Sequence, residues 1–255
     1  MTKEQATSAA FRQRFIAGER LLGSFIKTPT SHGIEILGEV GYDFIVIDEE
    51  HAPFDRAAID VALLAAQAAG IAGLVRVSSP ATILGALDCG AVGVLVPHVV
   101  DAGMARQVAD AARFRGGKRG YSPSGRSGGF GTKSLWPYVD QADKKIAVIA
   151  MIEDPRAVDN IAEIAAVDGI DGFFIGRGDL TIAFGAADQK SDPIISAVGR
   201  IAEAAKSAGK PVAVMVGSRA EADRFAEMGA STFIVSSDQA FLRRAASQAL
   251  KEFQA

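Results

Sequence analysis

The chain has 255 residues, 49% of them apolar, and a formal net charge of −3, so it can build one large core but carries no concentrated basic face for nucleic acid. No run approaches the ~20 apolar residues of a membrane span, and Met1-Thr2-Lys3-Glu4-Gln5 lacks the basic and then apolar segments of a signal peptide. Cys89 is the only cysteine, which excludes an internal disulfide and fits a reducing, cytoplasmic setting.

In chain order, a helical segment over roughly Ala6 to Gly18 precedes the first strand and is expected to cover the floor of the sheet. Apolar runs then begin at Leu21 (to Lys27), Asp43 (to Asp48), Ala72 (to Val77) and Gly93 (to Val96). Four more begin at Ile146 (to Ile152), Asp171 (to Ile175), Pro211 (to Val216) and Thr232 (to Val235). Such continuous runs read as strands buried on both faces. Helical patterns lie between them, with start signals at Thr30-Ser31-His32, Asp101, Asp154-Pro155, Ser218 and Asp238. About eight alternations of strand and helix predict a (β/α)8 TIM barrel in a single domain, 1–255. The Gly- and Ser-rich segment from Arg115 to Asp140 breaks the rhythm and reads as a flap or an oligomer contact. An open doubly wound sheet is the alternative, but no Gly-x-Gly-x-x-Gly follows any strand.

Charged residues collect just past the strands, at the end of a parallel barrel where active sites are built. Glu153 and Asp179 follow neighbouring strands and could supply two hard oxygens to Mg²⁺ or Mn²⁺, or could merely cap helices. Asp154, before Pro155, is the better cap. His51 lies beside Asp48 and Glu50, as a general base requires, although a surface histidine is the bland alternative. Three histidines, at 32, 51 and 98, make no zinc cluster. His98, in Val96-Pro97-His98, could line a pocket or pack. Arg76 ends an apolar strand, a costly position unless an anion pairs with it; Asp88 is one candidate partner. Lys27 could form a Schiff base, but an exposed loop cation is the favoured reading.

Taken together, Ile47-Asp48-Glu49-Glu50-His51-Ala52-Pro53, Val75-Arg76, Leu87-Asp88-Cys89-Gly90-Ala91, Val94-Leu95-Val96-Pro97, Arg119-Gly120, Ile152-Glu153, Phe174-Ile175-Gly176 and Asp179-Leu180 resemble the HpcH/HpaI aldolase family over nearly the whole chain. The resemblance implies a class II aldolase that cleaves 4-hydroxy-2-keto acids to pyruvate and an aldehyde. It implies a divalent cation, Mg²⁺, Mn²⁺ or Co²⁺, on Glu153 and Asp179. His51, steered by Asp48 with Glu50 nearby, would govern a metal-bound water as base, and Arg76 would hold the enolate oxygen. Asp88 joins the catalytic set; Arg76, Pro97, Ser124, Arg126, Gly176, Arg177 and Gly178 are the expected substrate contacts. Similar proteins are hexamers, dimers of trimers, whose last helix packs on a neighbouring barrel, here Asp238 to Phe253. Three departures bear on substrate choice: Met151 replaces a glutamine, Arg177-Gly178 replaces Pro-Ala, and the segment Arg119 to Arg126 differs from the commoner form. Arg126 and Arg177 raise hydroxypyruvate as an alternative donor. A CoA-thioester lyase, and a barrel that binds a small acid without turning it over, are the rival readings.

Overall fold

The computed structural model describes residues 10–254. Eight parallel strands close into a barrel in chain order, β1 beside β8: β1 (Leu21–Ile26), β2 (Phe44–Asp48), β3 (Ala72–Arg76), β4 (Gly93–Val96), β5 (Ala147–Ile152), β6 (Gly172–Ile175), β7 (Val212–Val216) and β8 (Ala230–Ser237). The expected strands agree to within one residue at each end, except that β8 is longer by two residues at each end and its pairing with β1 slips between Gly23 and Phe25.

Alternation along each strand builds two apolar layers, as a two-residue period requires. Phe25, Val46, Leu74, Leu95, Ile149, Phe174 and Ala213 fill the barrel. Ile45, Ile47, Val75, Val94 and Val148 point outward and pack under the helices. Helix α1 (Phe11–Ile16) closes the floor with Phe11 and Phe15, both buried and stacked at 5.9 Å between ring centroids. Gly172 is needed there: a Cβ on it would stand 2.6 Å from the Phe15 ring. The part of this expected helix before residue 10 lies outside the described residues.

Around the barrel run α2 (Ser31–Val40), α3 (Arg56–Ala68), α4 (Ile83–Asp88), α5 (Ala102–Ala112), α6 (Leu135–Lys145), α7 (Pro155–Asp159), α8 (Ile161–Ala165), α9 (Arg177–Ala183), α10 (Asp192–Ser207), α11 (Arg219–Glu227) and α12 (Asp238–Gln254). Side chains of Thr30, Asp101, Asp154 and Ser218 cap helices as expected. Asp238 does not. The Ser237 hydroxyl accepts from the Ala240 N–H, while the Asp238 carboxylate accepts the Lys27 and Thr28 N–H groups at 2.8 and 3.0 Å. Helix α12 buries none of its side chains. Among the described residues, no helix is long and apolar enough to cross a membrane.

The 115–140 connection ends in α6 and otherwise packs on the outer flank. Arg119 donates to Asp88 at the end of α4, and Arg126 donates to Asp60 of α3. Within the protomer it therefore does not cover the strand tips.

Candidate active site

Asp48 and Arg76 are register partners at the ends of β2 and β3. The Asp48 carboxylate, fully buried, accepts Arg76 Nε at 2.8 Å and Nη2 at 2.7 Å, Lys27 Nζ at 2.6 Å, and the His51 backbone N–H at 3.1 Å. Burial opposes its charge, but Arg76 and Lys27 outweigh that and hold its carboxyl below the usual carboxylate range. Three sequence expectations change here. Asp48 meets the backbone of His51 rather than its ring. Lys27 is an ion-paired residue with a 27% exposed side chain, not a free loop cation. The partner of Arg76 is Asp48; Asp88 instead faces Arg119, because the α4 C-terminus lies at the opposite end of the barrel from the β3 tip.

Glu50 carries the network across the mouth. Its carboxylate stands 3.4 Å from Arg76 Nη1, 3.8 Å from His51 Nε2 and 3.4 Å from His98 Nε2. Its Oε2 is buried without a hydrogen bond. His98 bridges onward: its backbone N–H donates to Glu153 Oε1 at 2.8 Å, and its ring Nδ1 lies 3.2 Å from the same oxygen. To do so it adopts φ 56°, uncommon for a residue with a side chain. The sequence left His98 open between pocket and packing; only the turn after β4 reveals this contact.

Glu153, 5% exposed, ends β5. Burial pushes its carboxyl up to about 7, against the His98 hydrogen bond, and the negative charges of Asp179 and Glu50 add to the rise. Its second oxygen lies over Gly176, where a Cβ would stand 3.1 Å from Oε2. Asp179 is in the first turn of α9 with an exposed carboxylate. A divalent cation fits this donor set: the negative charges of Asp179 and Glu50 add to the rise at Glu153, and one buried oxygen of Glu50 lacks a partner. Among the described residues, no group of three His, Cys, Asp or Glu side chains is arranged to hold a metal. Two carboxylates completed by water and substrate is the habit of Mg²⁺ and Mn²⁺.

A cavity of about 610 Å³ opens over these strand tips, lined in part by Lys27, Arg76, Met151, Gly176, Gly178 and Asp179. Arg177 lines it too but is committed, donating to Glu221 at 2.8 Å and to the Met215 carbonyl at 2.6 Å while covering the Phe225 ring. Gly178 lies in the first turn of α9. Pro97 is buried directly after β4. Ser124 and Arg126 are not brought to the cavity within the protomer, because the 115–140 connection packs on α3 and α4.

A parallel barrel with a carboxylate-rich, cation-flanked mouth has its charged groups at the end where barrel enzymes build their active sites, and the comparisons narrow this. The model of the HpcH/HpaI aldolase/citrate lyase family matches residues 21–245, and the chain belongs to that family. It is 35% identical over 247 residues to a 5-keto-4-deoxy-D-glucarate aldolase of Enterobacter sp. (strain 638), covering 95% of this chain and 96% of the relative. A solved HpcH/HpaI aldolase/citrate lyase family protein of Burkholderia cenocepacia J2315 superposes with TM-score 0.91 at 32% identity, over 97% of this chain and 100% of that one. An HpcH/HpaI aldolase of Desulfitobacterium hafniense DCB-2 gives TM-score 0.88 at 26% identity, over 95% and 96% of the two chains. The protein is an aldolase, a carbon–carbon lyase acting on small molecules.

Proposed function

We propose that the enzyme reversibly cleaves a 4-hydroxy-2-keto acid to pyruvate and an aldehyde, with Mg²⁺ or Mn²⁺ held by Glu153 and Asp179. The observation that carries this reading is the buried Glu153 carboxylate at the tip of β5, with Asp179 and Glu50 as neighbouring charges. When bound, the cation polarises the keto group and offsets negative charge on the donor. The chain's own groups do the rest. Arg76, fixed by the bidentate grip of Asp48, faces the keto oxygen with a preorganised guanidinium. His51, flanked by Glu50, takes the proton of the C4 hydroxyl. The C4–O bond becomes the aldehyde carbonyl, the C3–C4 bond breaks, and its electron pair enters the enolate. Returning the proton to C3 gives pyruvate.

Pyruvate is favoured over hydroxypyruvate as donor because Arg126 and Arg177 are already matched by Asp60 and Glu221. The Enterobacter relative is named for a deoxy-keto-glucarate, an acid at both ends, which supports an acidic aldehyde as the second product. A hexamer in the cytoplasm, built through α12, completes the proposal. The test is pyruvate release from a 4-hydroxy-2-keto acid. EDTA is expected to abolish it and Mg²⁺ or Mn²⁺ to restore it. Activity that survives EDTA and is trapped by borohydride on Lys27 would replace this mechanism with a Schiff base.

A further inference from the structure

Lys27 is a cation whose position exceeds what its ion pair explains. Asp48 already has a bidentate partner in Arg76 and a third donor in the His51 N–H. The one hydrogen bond of the Lys27 ammonium among the described residues is to Asp48 Oδ2, the oxygen that Arg76 Nη2 also takes. An ammonium has three donors, and this one lies on the cavity wall with 27% of its side chain exposed. Its backbone is held on both sides: the N–H donates to Asp238 Oδ1 at 2.8 Å, and the carbonyl accepts Gln239 Nε2 at 3.3 Å. A flexible lysine is thereby given a fixed root.

Its place in the ring supplies the direction. In a closed barrel ordered β1 to β8, β1 stands opposite β5. Lys27 follows β1; Glu153 and Asp179 follow β5 and β6; Arg76, on β3, lies between. A keto acid anchored at the Glu153–Asp179 side and spanning past Arg76 extends toward β1. Its far end meets a positive charge.

We propose that Lys27 contacts the substrate and selects an aldehyde portion that carries a carboxylate, donating its free N–H groups to that group while Asp48 holds the third. This inference rests on the aldolase reading and adds the residue that recognises the acceptor.

The experiment uses the metal-loaded full-length enzyme in the aldol direction, with pyruvate as donor and two four-carbon acceptors, succinate semialdehyde and butanal. The readout is the ratio of their kcat/KM values. The wild type is expected to favour succinate semialdehyde. Lys27→Met should lower the ratio about tenfold or more, the size expected for a charge-assisted hydrogen bond. Lys27→Gln, which can still donate to Asp48, should lower the ratio equally. Lys27→Arg should restore most of it. Equal losses on both aldehydes, with the ratio unchanged, would overturn the proposal and leave Lys27 as a positioning residue for Asp48 and Arg76. A wild type that condenses pyruvate with neither aldehyde, nor cleaves any 4-hydroxy-2-keto acid, would overturn the aldolase mechanism and this inference with it.

Discussion

A Cβ on Gly176 would come within 2.6 Å of Glu153 Cβ and 2.9 Å of Met151 Cε, so Gly176→Ala must displace the glutamate while leaving every charge in place. The expected result is a 10–100-fold loss of Mn²⁺ affinity, the usual cost of disturbing a ligand's support, measured by titration calorimetry on an otherwise folded protein. The same carboxylate sets a pH dependence. In the metal-free protein Glu153 sits at about 7 against an ordinary 4.5, so the folded state binds an extra proton between those values. Its contribution to stability is therefore greatest at low pH and is lost as pH rises toward 7. Cation binding must expel that proton. Mn²⁺ affinity should fall about tenfold between pH 8 and pH 6, and an affinity flat across that range would remove Glu153 from the ligand set. Much of this site was legible in the residues themselves. Charges following apolar runs marked Glu153, Asp179, Asp48 and Arg76, since a strand buried on both faces has no other use for them. What each charge touches was not legible, because Arg76 and Lys27 lie 28 and 21 positions from Asp48. Only the pairing of β2 with both β1 and β3 brings the two cations to one carboxylate.

At the level of elements, the barrel floor depends on one carboxylate. Asp171, 8% exposed at the foot of β6, accepts Arg12 Nη2 at 2.6 Å and Nε at 3.0 Å, Arg113 at 2.9 Å and the Val148 N–H at 2.8 Å. It joins α1, the end of α5, β5 and β6. Asp171→Ala leaves two guanidiniums unmatched and should destabilise the fold by about 3–5 kcal/mol, read from urea unfolding. The mouth lies at the opposite ends of these strands, so the KM for the keto acid should hold wherever the protein stays folded. Periodicity found the strands because each one is apolar on both sides. It could not orient the 115–140 connection, since Gly and Ser set no face. That connection is located by Arg119 on Asp88 and Arg126 on Asp60, contacts between residues 31 and 66 positions apart.

At the scale of the whole molecule, α12 packs through Phe241 against Tyr42, and beyond Phe241 its described residues are exposed. Leu242, Leu250 and Phe253 are 72%, 58% and 92% exposed along a helix that buries no side chain, an apolar surface that calls for a protein neighbour. If the proposed hexamer forms through α12, Leu250→Glu combined with Phe253→Glu should shift the mass toward the 26.6 kDa protomer, followed by light scattering. An unchanged mass would place the contact elsewhere.

The first residue of that same helix clasps the backbone of Lys27 and Thr28 through the Asp238 carboxylate. The handle by which one subunit would grip another is thus cast in one piece with a wall of the reaction chamber. An engineer who swaps the C-terminal helix to change how subunits assemble also moves the tip of β1. Under the proposed assembly, quaternary design and substrate scope would be coupled through this one carboxylate, and a library that varies one would sample the other.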